Sequence, residues 1–231
     1  MKKLTGFSLV ATLTVACVPL LAADNAEETS HRLHEAAAVF SEVTSAPDQG
    51  IPRELIERAK CIAIVPGMKK GAFIIGAKYG KGFISCRGSN DLAWSAPGAI
   101  RIEGGSFGFQ IGGSETDVVM LVMNDRGAQK LLESKFTLGA TGEVAAGPVG
   151  RTASAETDAK MTAQILSWSR SRGVFAGVAL QGATLREDLD DNQAMYGAKI
   201  SNHDIVTKRQ EKTAAGAELI AMLNKYSPKE K

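Results

Sequence analysis

Several short stretches of this 231-residue chain carry residue types that chemistry uses. Gly104-Gly105-Ser106-Phe107-Gly108 spells G-x-S-x-G, the hydrolase nucleophile elbow, which needs a strand before the serine and a helix after it. Here Phe107, Phe109 and Ile111 continue to alternate with small residues, so the backbone reads as extended and Ser106 as a small strand residue. His31, His34 and His203 are the only candidate bases, and an exported serine hydrolase ranks third among three readings. Asp188, Asp190, Asp191 and Asn192 suggest calcium, but an EF-hand loop requires Gly and Glu where Gln193 and Lys199 stand. A solvated acidic turn or a helix cap fits them better. His31 and His34 share a helix face with no third ligand nearby, so no metal site is expected. The glycine spacings match neither a Walker loop nor a dinucleotide fingerprint, so no cofactor and no catalytic residues are expected.

Charge is a stronger signal. The formal net charge is +2, but residues 24–49 carry a net −5 and residues 50–90 a net +6. Arg53, Arg58, Lys60, Lys69, Lys70, Lys78, Lys81 and Arg87 make the basic block, and the glycines around it leave little side chain to shield the lysines. Such a block suits an anionic headgroup, and these eight residues are the candidate lipid-binding set. An aromatic content of 6% argues against nucleic acid. Cys61 and Cys86 flank two strand segments, and the sequence leaves both a disulfide and two buried thiols open.

The elements that must position these residues begin after a basic head, Lys2-Lys3, and an apolar run from Phe7 to Leu21. This reads as a signal peptide over 1–23, cleaved near Ala22 or Ala23, with lipidation at Cys17 as the alternative. The mature chain, 24–231, then carries 25 basic and 25 acidic residues and belongs in the periplasm or outside the cell. It has the length of one domain: N-terminal helices over 24–60, a glycine-rich core over 61–197 and a C-terminal helix over 198–231. Leu33, Ala36, Ala37, Phe40 and Val43 predict an amphipathic helix over 26–45, and Leu55, Ile56 and Ala59 a short second one after Pro52. Ile62–Val65 reads as a brief strand ended by Pro66-Gly67, with a later turn at Gly88–Asp91. Phe73, Ile75, Ala77 and Tyr79 predict a strand with its bulky face inward, and Gly76 and Gly80 opposite imply another layer in close approach. Asp117–Met123 should be a strand covered on both faces, Asn124 a helix N-cap, 164–185 a hairpin, and 208–226 a closing helix. Trp94 should anchor the core or rim of the sheet.

Ordered blocks over 59–197 resemble the SYLF domain family, also catalogued as an actin-binding domain family. They are Ala59-Lys60, Gly71-Ala72-Phe73, Tyr79-Gly80-Lys81-Gly82, Trp94-Ser95-Ala96-Pro97, Gly108-Phe109-Gln110-Ile111-Gly112, Thr116-Asp117, Ala146-Gly147-Pro148-Val149-Gly150-Arg151, Ser171-Arg172-Gly173-Val174-Phe175-Ala176-Gly177, and Asn192 with Tyr196-Gly197. The resemblance implies a single compact α+β domain without catalytic activity. It also implies binding of phosphoinositide or other anionic lipid through an N-terminal amphipathic helix and an adjoining basic surface. Combined with the chain's own pattern, the expected fold is a glycine-rich, mostly antiparallel sheet or barrel-like sandwich covered by N- and C-terminal helices. The chain reads as a bacterial exported member. Its export signal, with no SH3 or FYVE module, argues against actin and cytosolic phosphoinositides as partners. Because the first helix is acidic at Glu27, Glu28, Glu35 and Glu42, the lipid site is expected in the Arg53–Arg87 block, and deleting residues 24–46 is expected to strengthen binding if the fold survives. The second reading is an envelope structural module that binds protein through its glycine-rich face.

Overall fold

The computed structural model describes residues 18–45, 50–88, 93–139, 144–148, 163–171, 174–178, 180, 182–208 and 214–227. The apolar stripe of the first helix does what its spacing demands: Leu33, Ala36, Ala37, Phe40 and Val43 are all buried on α1 (Val18–Ser45). The short α2 (Arg53–Arg58) follows Pro52, its N-cap, and turns Leu55 and Ile56 inward.

Two long strands then dominate. β1 (Cys61–Cys86) and β2 (Gly98–Val122) pair antiparallel from Cys61 opposite Val122 to Ile84 opposite Gly98. The expected strand end at Pro66-Gly67 is a bulge instead. Proline has no N–H to pair, Gly67 takes φ +56°, and the register shifts between Val65 and Met68 while the strand runs on. The Gly67 N–H is not lost to the ladder unpaired; it donates to Asp117 Oδ1 at 2.9 Å.

β2 is the spine of a seven-stranded, mostly antiparallel sheet. Beyond β2 come α3 (Asp125–Leu131), capped by the Asn124 side chain on the Gly127 N–H, and three short strands: β3 (Lys135–Thr137), β4 (Val144–Ala146) and β5 (Ile165–Ser171). β6 (Val174–Gly177) and β7 (Thr184–Glu187) complete the sheet. β1 lies along one edge of β2, while β7 and β5 take its other edge at residues 100–103 and 117–122. β4 on β5 is the one parallel pair among the described strands. The hairpin expected over 164–185 stops at β6, because β7 crosses over to pair with β2 and β3.

The apolar run Val118–Val122 is buried on both sides, as its pattern requires. Val119 and Leu121 join Ile62, Ile64, Trp168 and the inner faces of α1, α2 and α6 (Ala217–Tyr226). Val118, Met120 and Val122 face Ala63, Val65, Ile84, Ile100 and Leu131 in a second cluster. Trp94 is buried, and its Nε1 donates to the Ser227 carbonyl at 3.3 Å. Where a closing helix is expected over 208–226, the described residues hold the end of α5 (Asn202–Lys208), a 3-10 turn at Ala214–Gly216, and α6. A Cβ on Gly216 would lie 2.5 Å from Pro97, so this turn sits hard against the start of β2.

The β1–β2 ribbon curls over itself. A Cβ on Gly82 would meet the Ile64 carbonyl at 2.0 Å, and one on Gly80 would meet Val65 at 2.7 Å, so the second half of β1 crosses its first half at backbone contact. The two ends of β1 are closed by a disulfide between Cys61 and Cys86. This curl inverts one expectation. Gly76 and Gly80 point inward, where the other layer packs, and Ala77 and Tyr79 point out, with Tyr79 47% exposed. The side chains of Phe73, Ile75, Ser106, Phe107, Phe109 and Ile111 lie outside the described residues, as do residues 1–17 with Cys17, and Ser89–Asp91. The result is an α+β fold: a curled mixed sheet, half of a barrel, with helices packed on it.

Candidate functional site

The curl divides the basic block into four parts. Arg53 and Arg58 stand exposed on α2, where Arg53 Nε reaches Glu57 at 2.7 Å. Lys60 and Arg87 flank the disulfide and line a cavity of ≈ 500 Å³ with Gln129, His203 and Thr207. Arg87 is a tie within the fold: its guanidinium lies 4.6 Å over the Trp94 ring, and it donates to the Ser227 carbonyl at 3.1 Å. Lys69, Lys70 and Lys78 occupy the middle of β1, opposite Glu115, Ser114 and Gly104 of β2.

Lys81 behaves unlike its neighbours. Its Nζ lies 2.9 Å from Asp191 Oδ1 and 3.1 Å from Asp188 Oδ2, both carboxylates being almost wholly buried. Arg32 of α1 closes the cluster at 2.7 Å from Asp191 Oδ2. Burial pushes the Lys81 ammonium down, but the bonds to Asp191 and Asp188 more than reverse this, and its pKa is raised overall. The four Asp/Asn residues read as a solvated turn or cap are therefore a cap with a structural task. Asp188 is the N-cap of α4 (Leu189–Tyr196), accepting from the Asp191 N–H, and Asn192 accepts from the Ala99 N–H. The acidic side chains Asp188 and Asp191 bind lysine and arginine of the same chain.

Lys69, Lys70 and Lys78 form no ion pair among the described residues. Lys70 is half-buried, and its pKa is lowered by that burial and by the charge of Lys78. Two ammonium groups held close enough to repel each other make a site at which an anion would lower the electrostatic energy. The bend of the ribbon is thus where cations of the block without ion pairs stand closest together.

Between this bend and α1 runs a groove that the sequence did not announce, because its floor is the Pro66-Gly67 bulge. One section, ≈ 340 Å³, is lined by Arg32, Glu35, Lys69, Tyr79, Lys81 and Glu115 among others. The next, ≈ 480 Å³, adds Ala38, Val39, Thr116, Asp117 and Arg170. Asp117 holds the bulge from beneath, taking the Gly67 N–H and two guanidinium bonds from Arg170 at 2.7 and 2.6 Å. Burial raises the Asp117 pKa, the Gly67 bond opposes this, and the charge of Glu115 adds to the rise. Arg170 also reaches Glu42 of α1.

β2 runs without a break through Ser106, paired at that point with Gly76, so the strand-to-helix corner of a nucleophile elbow is not formed. His31 and His34 are exposed and face Glu35 and Glu218. No cluster of metal-ligating side chains occurs among the described residues.

A family model described as "Ysc84: Las17-binding protein actin regulator" matches residues 103–226. The human SH3 domain-containing YSC84-like protein 1 is 35% identical over 193 residues, which is 82% of this chain and 56% of that protein. Protein YSC84 of Saccharomyces cerevisiae is 33% identical over 179 residues, covering 76% of this chain and 38% of its own length. The chain spans about half the length of the vertebrate relatives it matches. With the family match covering more than half of the chain, this protein belongs to the Ysc84 (SYLF) family.

Proposed function

We propose that this domain is a non-catalytic module that attaches to anionic membrane surfaces through Lys69, Lys70 and Lys78 at the bend of the β1–β2 ribbon, in an exported protein of the bacterial envelope. The observation that carries it is the set of lysines at the bend, with Lys70 and Lys78 close enough to repel each other and Lys69 on the ribbon's other face, none of them in an ion pair among the described residues. In the sequence the lysines bracket Gly71-Ala72-Phe73-Ile74-Ile75-Gly76-Ala77, an apolar stretch suited to the acyl boundary beneath a headgroup layer. Each such lysine contributes about 1 kcal/mol near an anionic surface, so three give reversible attachment. The Cys61–Cys86 disulfide supports export, since such bonds persist in oxidising compartments. Actin regulation and Las17 binding are named for the family model and are not assigned to this chain.

Vesicle flotation tests the reading. Wild type should float with phosphatidylglycerol vesicles and not with pure phosphatidylcholine. Joint substitution Lys69→Glu, Lys70→Glu and Lys78→Glu should abolish flotation while melting is retained. Arg53→Glu with Arg58→Glu should weaken it little. If the triple variant floats as well as wild type, the lysines are only a solvated face. Intact mass of the exported protein tests its processing: an N-terminus near Asp24 supports signal cleavage, and an acylated Cys17 replaces it with lipidation.

A further inference from the structure

We propose that the ≈ 340 Å³ section of the groove is a subsite for a zwitterion bearing a phosphate and a primary ammonium, the chemistry of a phosphoethanolamine headgroup. This deepens the membrane-binding reading and rests on it. The wall residues carry both signs. Arg32 and Lys81 stand against Glu28, Glu35 and Glu115, with Lys69 at the bend side. Most of these charges are already matched. Arg32 and Lys81 are held by Asp191 and Asp188, and Glu28 lies 2.6 Å from Arg32, while Glu35 has only the His31 ring at 3.6 Å.

Lys69 and Glu115 are the exception. They are register partners on β1 and β2, so their side chains leave the same face of the ribbon. No ion pair joins them. The Glu115 carboxylate instead folds back over the bulge, its Oε1 only 2.7 Å from where a Cβ on Gly67 would sit. A simple anion in the groove would meet three glutamates, and a simple cation would meet Lys69, Lys81 and Arg32. A zwitterion answers both, its phosphate on Lys69 and its ammonium on Glu115 with Glu35 beside it. Tyr79, 47% exposed, stands on the rim and offers a hydroxyl to the phosphate. The volume lies in the range of small-ligand sites. Lys70 and Lys78 neighbour Lys69 and Tyr79 along β1 but leave the other face of the ribbon, so the groove and the lysine pair flank the same stretch of the bend.

The test holds the phosphatidylglycerol fraction of the vesicles fixed and replaces phosphatidylcholine by phosphatidylethanolamine. Wild-type binding should rise about twofold to fivefold, the worth of one exposed ion pair. Glu115→Gln should lose that increment and keep its dependence on phosphatidylglycerol; Glu35→Gln serves as a second variant should the first melt early. An increment retained in both folded variants would reflect headgroup size or curvature and would overturn the subsite. Equal binding to both vesicle types also overturns it, while leaving the anionic reading intact. Calorimetric titration with soluble phosphoethanolamine against phosphocholine separates a free ligand from a lipid: heat with phosphoethanolamine alone supports the subsite without a bilayer. If no vesicle binds, the membrane reading fails, and that titration alone decides the subsite, silence with both compounds ending it.

Discussion

At the scale of single residues, the chain contains lysines of nearly identical sequence context and opposite physical roles. Lys78 and Lys81 are three positions apart on β1, yet Lys81 sits between two buried carboxylates while Lys78 repels Lys70. Lys81→Met would leave Asp188 and Asp191 buried with Arg32 as their remaining cation. Urea unfolding should show a loss of about 3 kcal/mol or more, whereas exposed Lys69→Met should stay within about 0.5 kcal/mol of wild type. Because the Lys81 pKa is raised, its stabilisation is complete below the ordinary value of 10.5 and disappears only as pH climbs through the raised one. Near neutrality the pH-sensitive tie is His34, whose Nδ1 lies 2.8 Å from Glu218 on α6. Its hydrogen bond and the charge of Glu218 raise the His34 pKa above 6.5, so this α1–α6 tie is present below 6.5 and is lost as pH rises through the raised value. A proton NMR titration should place the His34 midpoint above 6.5 and return it to about that value in Glu218→Gln.

At the scale of elements, the curled β1 is held by close backbone crossing at Gly82 and by one covalent closure. Replacing Cys61 and Cys86 with alanine frees a loop whose ends are 25 positions apart. Chain entropy alone puts the cost at about 3.5 kcal/mol, to be read as a lowered urea midpoint with a raised m-value, since the unfolded chain without the cross-link is more expanded. Deletion of residues 24–46, expected from charge alone to strengthen membrane binding, should instead unfold the domain. α1 contributes Leu33, Ala36, Ala37, Val39, Phe40 and Val43 to the main core. Loss of the cooperative thermal transition in that deletion would show it; a retained transition would restore the electrostatic argument. The stripe on α1 and the doubly covered run 118–122 were legible because their periods are local. The bulge at Pro66-Gly67 was not, since what keeps the strand going is a bond to Asp117, fifty residues away. Nor was the outward turn of Ala77 and Tyr79, which follows from where the curl brings Val65 and Met68 against Gly80. The division of the basic block was hidden for the same reason: the partners of Lys81 and Arg87 are Asp188, Asp191 and Ser227, more than a hundred residues along the chain.

At the scale of the whole molecule, charge segregation in sequence becomes partial cancellation in space. The acidic α1 lies along the groove beside the basic strand, and Arg32, Lys81, Asp188 and Asp191 neutralise one another internally. The surplus gathered at one place for a partner is that of Lys69, Lys70 and Lys78, on a molecule near electroneutrality. Attachment should therefore be short-ranged and easily screened. The screening length falls from about 10 Å at 0.1 M salt to about 3 Å at 1 M, so flotation with phosphatidylglycerol vesicles should decline steeply between these limits. Neutralising Glu115 and Glu35 together should strengthen attachment to purely phosphatidylglycerol-containing vesicles at low salt, since both carboxylates border the lysines, and should leave binding at 1 M unchanged. Flotation that persists undiminished at 1 M salt would mean that apolar insertion of the 71–77 stretch holds the protein to the bilayer, with the lysines contributing only the approach.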